Sequence, residues 1–409
     1  MDLRGYLEQF SRIAMTGLNL RDGQSLAIKV EPENLDVAVA VAEQAYRRGA
    51  RYVELWPESS RMGRARLDHS REEFLEFVPG YRRERNAEFV RDKWALLSIK
   101  SPVDLSIMDG ADADRSGYVA RGVRTADAEL KRALSNDETQ WTVMAVPSAA
   151  WAAAVLDMPV SDEALLAMWK AMEPILRLTE EDPAEYWAHH GDALKERSAA
   201  LDALDIRTLR FRADGTDLEV PLHDRAQWLG GGAQTRDGIP FLPNIPTEEV
   251  FTAPYAPGVS GTVVVTRPVR VYGTRVAGAW FRFQEGTVVE FGADEGQDTL
   301  EAFLNIDEGS RRMGEIALVD GSSPIARSGL VFQNILLDEN ATCHFALGSA
   351  YPTCLEGGDS MNDEELAALG ANISHQHVDF MIGSDGMNID ATTGSGETVA
   401  IMRDGRIVL

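Results

Sequence analysis

Four short apolar runs mark the first half of the chain: SLAIKV (Ser25 to Val30), YVELW (Tyr52 to Trp56), WALLSIK (Trp94 to Lys100) and WTVMAVP (Trp141 to Pro147). Each has the length and bulk of a buried strand. Between the first two, PENLDVAVAVAEQAYRRGA sets Leu35, Val39, Ala42 and Tyr46 at helical spacing, with Pro32 suited to a first turn and Gly49 to a C-terminal cap. Strand, amphipathic helix and strand make one βαβ unit, so this half predicts an α/β domain with a largely parallel sheet covered by helices. Residues Asp162 to about Leu204 read as further helices with Trp and Leu anchors.

The pattern changes near Asp205. DIRTLRFRADGTDLEVPL alternates polar and apolar residues on both sides of Asp214-Gly215, a hairpin signal. Runs such as GTVVVT, VRVYG, AWFRF and TVVEF follow, separated by Gly and Pro, and predict mainly antiparallel sheet to about Phe291. DTLEAFLN (Asp298 to Asn305) reads as a helix with Asp298 near its start. The expected organisation is therefore an N-terminal α/β domain over residues 1–204 and an α+β domain rich in antiparallel strands over 205–409.

Composition narrows the function classes. The 409 residues are long enough for two cores, and 65 acidic against 40 basic residues give a net charge of −25. Such a surface repels polyanions, so nucleic acid is not an expected partner; the acidic balance also suits simple solubility or the collection of cations. Two cysteines, Cys343 and Cys354, are too few for a disulfide scaffold and too far apart for a CxxC motif, which fits a reducing cytoplasm. Asp2, Arg4, Glu8 and Arg12 interrupt the apolar residues of the N-terminus, and no stretch approaches the roughly 18 apolar residues of a membrane span. No membrane partner is expected.

Seven histidines are present, and His344, His375 and His377 fall near the C-terminus among many carboxylates. In SHQHVDFMIG, His375, His377 and Asp379 sit at i, i+2 and i+4, so a strand would project all three from one face, as ligands of a divalent metal or as surface polar residues. DENATCHFALGSAYP, loop-like in composition, brings Glu339, His344 and Tyr351 close together in sequence; Tyr351 reads either as a packed ring beside Pro352 or as a hydrogen-bond donor to an oxyanion. In GEIALVDG, Glu315 heads an apolar strand and is either exposed there or paired with a cation. PNIPTEEVFTAP places Glu248 and Glu249 between two proline-marked turns. Cys343 reads as core. His189-His190 reads as a helix end, GGGAQ at Gly230 to Gly232 as a turn without the Lys-Ser/Thr of a phosphate loop, and GDSMNDEEL as a helix N-terminus.

Taken in order, NIPTEEVFTAP, GEIAL, the stretch from Asp338 to Tyr351 and HVDFMIGS resemble the thermophilic-type metallo-aminopeptidases, the family of aminopeptidases T, S and II. The resemblance runs through most of the C-terminal half. It implies a pair of divalent ions (Zn, Co, Mn or Mg) held by Glu249, Glu315, Glu339, His344, His377 and Asp379, with Glu315 as the bridge. It also implies Tyr351 near the metals, short peptides with a free N-terminus as substrates, and a homodimer. His375 matches no ligand of that family. Glu248 is a candidate for the carboxylate that takes a proton from the attacking water. Two rivals belong to other classes: a mononuclear iron ring-cleaving dioxygenase, needing only part of this shell, and a metal-binding protein without turnover.

Overall fold

The computed structural model describes residues 1–409, the side chain of Ala113 excepted. Two compact units emerge, one comprising Met1–His189 with Gly232–Pro246 and the other His190–Gly231 with Thr247–Leu409. The change of pattern near Asp205 marks the start of the first long antiparallel strand, and the chain passes between the compact units at other points.

The first unit is built on a five-stranded sheet. β1 (Ser25–Val30), β2 (Tyr52–Pro57), β3 (Ala95–Lys100) and β4 (Trp141–Ala145) coincide with the four apolar runs, and all pair in parallel. A short strand that the patterning did not reveal, β10 (Asn244–Ile245), adds to β4 in parallel, giving the order β10-β4-β3-β1-β2 and drawing residues 232–246 back to this unit. The same segment carries the two-residue pair β8 (Ala233–Gln234) and β9 (Pro240–Phe241). The helix Leu35–Arg47 forms where its spacing predicts, with Gly49 just beyond its end at φ +89°. Its buried face is nevertheless Val37, Ala38, Val41 and Ala45, while Leu35, Val39 and Tyr46 keep about half their surface exposed (49, 48 and 50%). Both stripes are apolar at helical period, so periodicity cannot choose between them; the smaller side chains take the sheet.

The second unit contains two larger sheets. One has eight strands: β16 (Thr287–Gly292), β15 (Trp280–Gln284), β12 (Ser260–Val264), β6 (Thr216–Pro221), β5 (Ile206–Ala213), β20 (Asn388–Thr393), β21 (Thr398–Arg403) and β22 (Arg406–Ile407), in that order and antiparallel throughout. β5 and β6 are the hairpin expected around Asp214-Gly215. The other sheet has the order β19 (His377–Met381), β18 (His344–Gly348), β17 (Met313–Val319), β11 (Glu249–Thr252) and β7 (Leu229–Gly230), again antiparallel. β13 (Val269–Val271) and β14 (Thr274–Val276) form a separate hairpin. Rings from both large sheets meet in one core: Phe281 lies 5.0 Å from Phe380 and 5.8 Å from Phe345. Helices Gln297–Leu304 and Asp363–Ala368 stand where DTLEAFLN and GDSMNDEEL predict, the latter opened by an Asn362–Glu365 capping box. Among the described residues no helix is long and apolar enough to cross a membrane.

Candidate metal centre

The five-stranded sheet of the second unit has two unlike faces, and strand register decides which residues share them. Side chains directly opposite one another point the same way, and successive ones alternate. Val250, Ile316, Leu318, Phe345, Leu347 and Phe380 fall on one face and join the core. Glu249, Glu315, His344, His377 and Asp379 fall on the other: Glu249 pairs with Val319, Glu315 with Ala346, Ala346 with Asp379, and Gly348 with His377. A bulge makes this possible on β17. Met313 opposes Leu347 and Glu315 opposes Ala346, so one extra residue, Gly314, sends Met313 into the core and Glu315 to the opposite face. A Cβ on Gly314 would stand 2.2 Å from the Gly348 carbonyl oxygen, so only glycine fits the bulge without a shift.

The donors converge into two groups that share one carboxylate. Glu249, Glu315 and His344 offer ligand atoms within 4.8 Å of one another, and so do Glu315, His377 and Asp379. One Glu315 oxygen, Oε1, lies 3.6 Å from His344 Nε2, and its other oxygen, Oε2, lies 3.7 Å from His377 Nε2. Asp379 Oδ1 is 3.4 Å from the same His377 nitrogen. Both imidazoles are held from behind. His344 Nδ1 donates to the Thr342 carbonyl at 3.2 Å and His377 Nδ1 to the Ser349 carbonyl at 2.8 Å, which fixes the proton on Nδ1 and turns the Nε2 lone pair toward the carboxylates.

That arrangement fits a divalent cation better than a hydrogen-bonded cluster. Glu249 Oε2 and His344 Nε2 approach to 3.0 Å, yet the buried Glu249 oxygen makes no hydrogen bond. A proton on each imidazole would still leave four carboxylates, Glu249, Glu315, Glu339 and Asp379, facing two positive charges, an imbalance that a divalent cation would correct. Burial pushes the Glu315 carboxyl up and Glu339 well up, with the charges of Asp379 and Glu249 adding to both. Burial opposes protonation of the histidines, but the carboxylates override it, lifting His377 to about 9 and His344 well above its usual value. A cation would reverse this balance, favouring ionised carboxylates and neutral imidazoles. An all-oxygen-and-nitrogen donor set suits Zn, Co, Mn or Mg and offers no thiolate.

Each remaining candidate has a definite place. Glu339 lies on a one-turn 3-10 helix, Glu339–Ala341, outside both donor groups but near enough for their charges to act on it. The Tyr351 ring packs edge-on against His377 at 5.1 Å and near Phe251 at 5.9 Å; desolvation and the charges of Glu315, Asp379, Glu339 and Glu249 hold its phenol well above the usual range, hence protonated. Glu248 stands apart from both groups, its Oε2 3.7 Å from His190 Nε2. His375 precedes β19, is exposed, and gives its backbone N–H to Asp307. Cys343 is buried in the core, as its neighbour-opposed position suggests.

Three residues gain importance only from the fold. His189-His190 is not a helix end but the interior of the helix Pro183–Ala203, and His190 Nε2 donates to the Thr247 carbonyl at 2.9 Å. Asn340, fully buried, accepts from the Glu248 N–H at 2.7 Å and donates to Leu336 O at 3.0 Å and Glu339 Oε1 at 3.4 Å, joining two segments that carry candidate ligands. Ala346 separates Glu315 from Asp379 with a single methyl. Both Asn340 and Ala346 lie inside the stretch from Asp338 to Tyr351 that carries the family resemblance, but neither residue type signals the place it takes.

A buried, histidine-backed carboxylate cluster on one face of an antiparallel sheet could hold divalent metal ions, and comparison with known proteins gives the chain its family. The chain belongs to the thermophilic metalloproteases (M29), whose family model matches residues 5–407. It is 37% identical over 400 residues to aminopeptidase 2 of Geobacillus stearothermophilus, covering 98% of this chain and 97% of that one. It is 37% identical over 404 residues to aminopeptidase T of Thermus thermophilus, covering 98% of each. A solved structure of wild-type AmpT from Thermus thermophilus superposes with a TM-score of 0.92 at 36% identity over the full length of both chains.

Proposed function

We propose that this protein is an aminopeptidase that removes N-terminal residues from short peptides at a centre of two divalent cations. The observation that carries the reading is Glu315, one carboxylate whose two oxygens face two separate donor groups. Glu249 and His344 would hold one ion, His377 and Asp379 the other, Glu315 would bridge them, and Glu339 would complete the shell. All six lie in the C-terminal domain, residues 205–409. The pair would supply Lewis acidity and a water acidified to the neutral range.

The chain's own groups supply the rest. Tyr351, kept protonated by the surrounding carboxylates, donates its phenolic O–H to the carbonyl oxygen of the scissile bond as negative charge develops there. Glu248, which lies outside both donor groups beside His190, or one of the ligand carboxylates would take the proton of the attacking water and return it to the leaving amine. Asn340 holds the Glu248 backbone against the Glu339 turn. The reading includes a homodimer and a cytoplasmic setting, from the family resemblance and the two unpaired cysteines.

The deciding experiment compares an unblocked leucyl chromogenic amide with its N-acetylated analogue, using metal-stripped protein with and without added Co²⁺ or Zn²⁺. Metal-dependent cleavage of the free amine alone, with two ions bound per chain, is the expected result. No cleavage under any metal sinks the peptidase reading for such substrates. One iron per chain would instead favour the ring-cleaving oxygenase.

A further inference from the structure

A cavity of about 480 Å³ opens at the free edge of the parallel sheet in the first unit. β2 ends that sheet, and among the described residues its strand partner is β1 alone. Its backbone groups alternate in direction. The Glu58 N–H donates to Val30 O at 2.9 Å, so the even-numbered positions address β1. The odd positions address the open side: the Val53 N–H meets the Tyr46 hydroxyl at 3.1 Å, and Pro57 has no N–H to leave unpaired. What that side presents is the Leu55 N–H with the carbonyls of Val53, Leu55 and Pro57, enough to pair about two peptide units of an added strand.

The cavity is built around this edge. Four consecutive residues, Glu54 to Pro57, line it, so it wraps the strand instead of lying on one face. Its opposite wall is the helix Gly80–Arg91, which contributes Tyr81, Glu84 and Glu88 at i, i+3 and i+7. Trp56 fastens the two walls, packing 5.5 Å from Phe89 and lying under the Arg85 guanidinium at 3.8 Å. The Arg85 guanidinium stacks on the indole and Glu54 Oε2 accepts from the Trp56 Nε1–H at 3.0 Å, so three carboxylates, Glu54, Glu84 and Glu88, face one guanidinium and the lining is net acidic.

A groove between an edge strand and a helix is the geometry in which an extended peptide adds to a sheet. We propose that this groove binds an extended peptide segment carrying Lys or Arg, added to β2 as a sixth strand. Charge decides the occupant. A second copy paired through the same edge would set these glutamates against themselves on a chain of net charge −25, whereas a cationic strand neutralises them. The inference rests on no part of the aminopeptidase reading.

The test is fluorescence anisotropy of a labelled, N-acetylated hexapeptide of alternating Val and Lys, added to the intact metal-loaded protein at about 0.15 M salt. Saturable binding is expected, with no binding of the Val-Glu counterpart. Affinity falls about tenfold in the Glu84→Gln/Glu88→Gln double variant. Binding is lost when alternate amides of the peptide are N-methylated, a change that leaves the protein untouched. Hydrolysis of the leucyl amide stays at the level of the unmodified protein in the double variant. Equal binding by the N-methylated peptide, or by the double variant, overturns the proposal. So does an oligomer that dissociates in the double variant, because the edge then belongs to a second copy of the chain.

Discussion

The two sheets that define the units treat polar groups in opposite ways. In the parallel sheet β1, β3 and β4 are largely apolar, with Lys29 and Lys100 near strand ends, and Glu54 stands mid-strand on the edge strand β2. In the five-stranded antiparallel sheet of the second unit, five ionisable side chains sit on one face, backed by a face that is apolar but for Thr252. Burial of that kind costs several kcal/mol per unpaired charge, so a sheet can carry it only where the charges have a common partner. The difference teaches where to look: an apolar face is explained by packing, and a charged buried face requires a ligand.

The largest effect should follow from removing the carboxylate common to both donor groups. Glu315→Gln keeps the shape and one oxygen but loses the charge, and we expect hydrolysis to fall by about 10³-fold or more with one ion's affinity lost. Metal titration by calorimetry alongside the leucyl amide assay checks both; a variant that keeps two ions and full activity removes Glu315 from the centre. Next in size is Ala346→Leu. Strands lie about 4.8 Å apart, so Glu315 and Asp379 flank Ala346 at roughly twice that spacing and an isobutyl group fills the room between them. Metal affinity should fall about 100-fold, at a cost in stability of about 1–3 kcal/mol, while Ala346→Gly leaves metal binding near normal. Equal affinity in all three proteins would show that the space over Ala346 is not where the ions sit.

The contrast between sheets also explains what the sequence made legible. Parallel strands declared themselves as runs, and the β5–β6 hairpin by its Asp-Gly turn. Candidate donors could be named because His and acidic residues cluster in separate motifs, but their convergence on one face could not be read from alternation. The Gly314 bulge inverts the side to which Met313 and Glu315 point, and a strict period of two would have put both on the same face. Asn340 and His190 are polar residues in unremarkable contexts, made relevant only by long-range contacts to Glu248 and Thr247. The exposed stripe of the helix Leu35–Arg47 shows the same limit in reverse: apolar spacing identifies a helix without saying which stripe is covered.

A smaller effect should separate holding the ions from aligning the chemistry. Asn340→Ala leaves all six proposed ligands in place but frees the Glu248 N–H and the Glu339 turn. Loss of a buried hydrogen-bond pair of this kind amounts to about 1–3 kcal/mol. We expect kcat to drop about tenfold or somewhat more with two ions still bound, and Asn340→Asp to recover less than half of the loss because it adds charge beside Glu339. If Asn340→Ala loses metal in step with activity, the residue serves the ligand shell and not the Glu248 segment.

The smallest effect lies in the first unit, where a carboxyl is raised by burial with no donor cluster around it. Asp137 is pushed up to about 6, chiefly by desolvation, against a modest opposing hydrogen bond from Trp141 Nε1 at 3.2 Å. A carboxyl whose folded pKa lies above the unfolded value of 3.8 binds protons more tightly in the folded state, so it favours folding at low pH and that advantage disappears as pH rises from about 4 to 6. Two pKa steps correspond to about 3 kcal/mol, and solvent screening at this partly exposed position reduces that to about 1 kcal/mol. Asp137→Asn keeps the Trp141 contact and tolerates the left-handed backbone there, φ +50°. It should therefore stabilise the protein by about 1 kcal/mol at pH 7 and leave it unchanged near pH 4, in urea unfolding followed across that range. An equal offset at both pH values would mean that the gain is not electrostatic. Burial alone would then be an insufficient account of the raised carboxyls, and the case for a cation among those of the second unit would have to rest on geometry only.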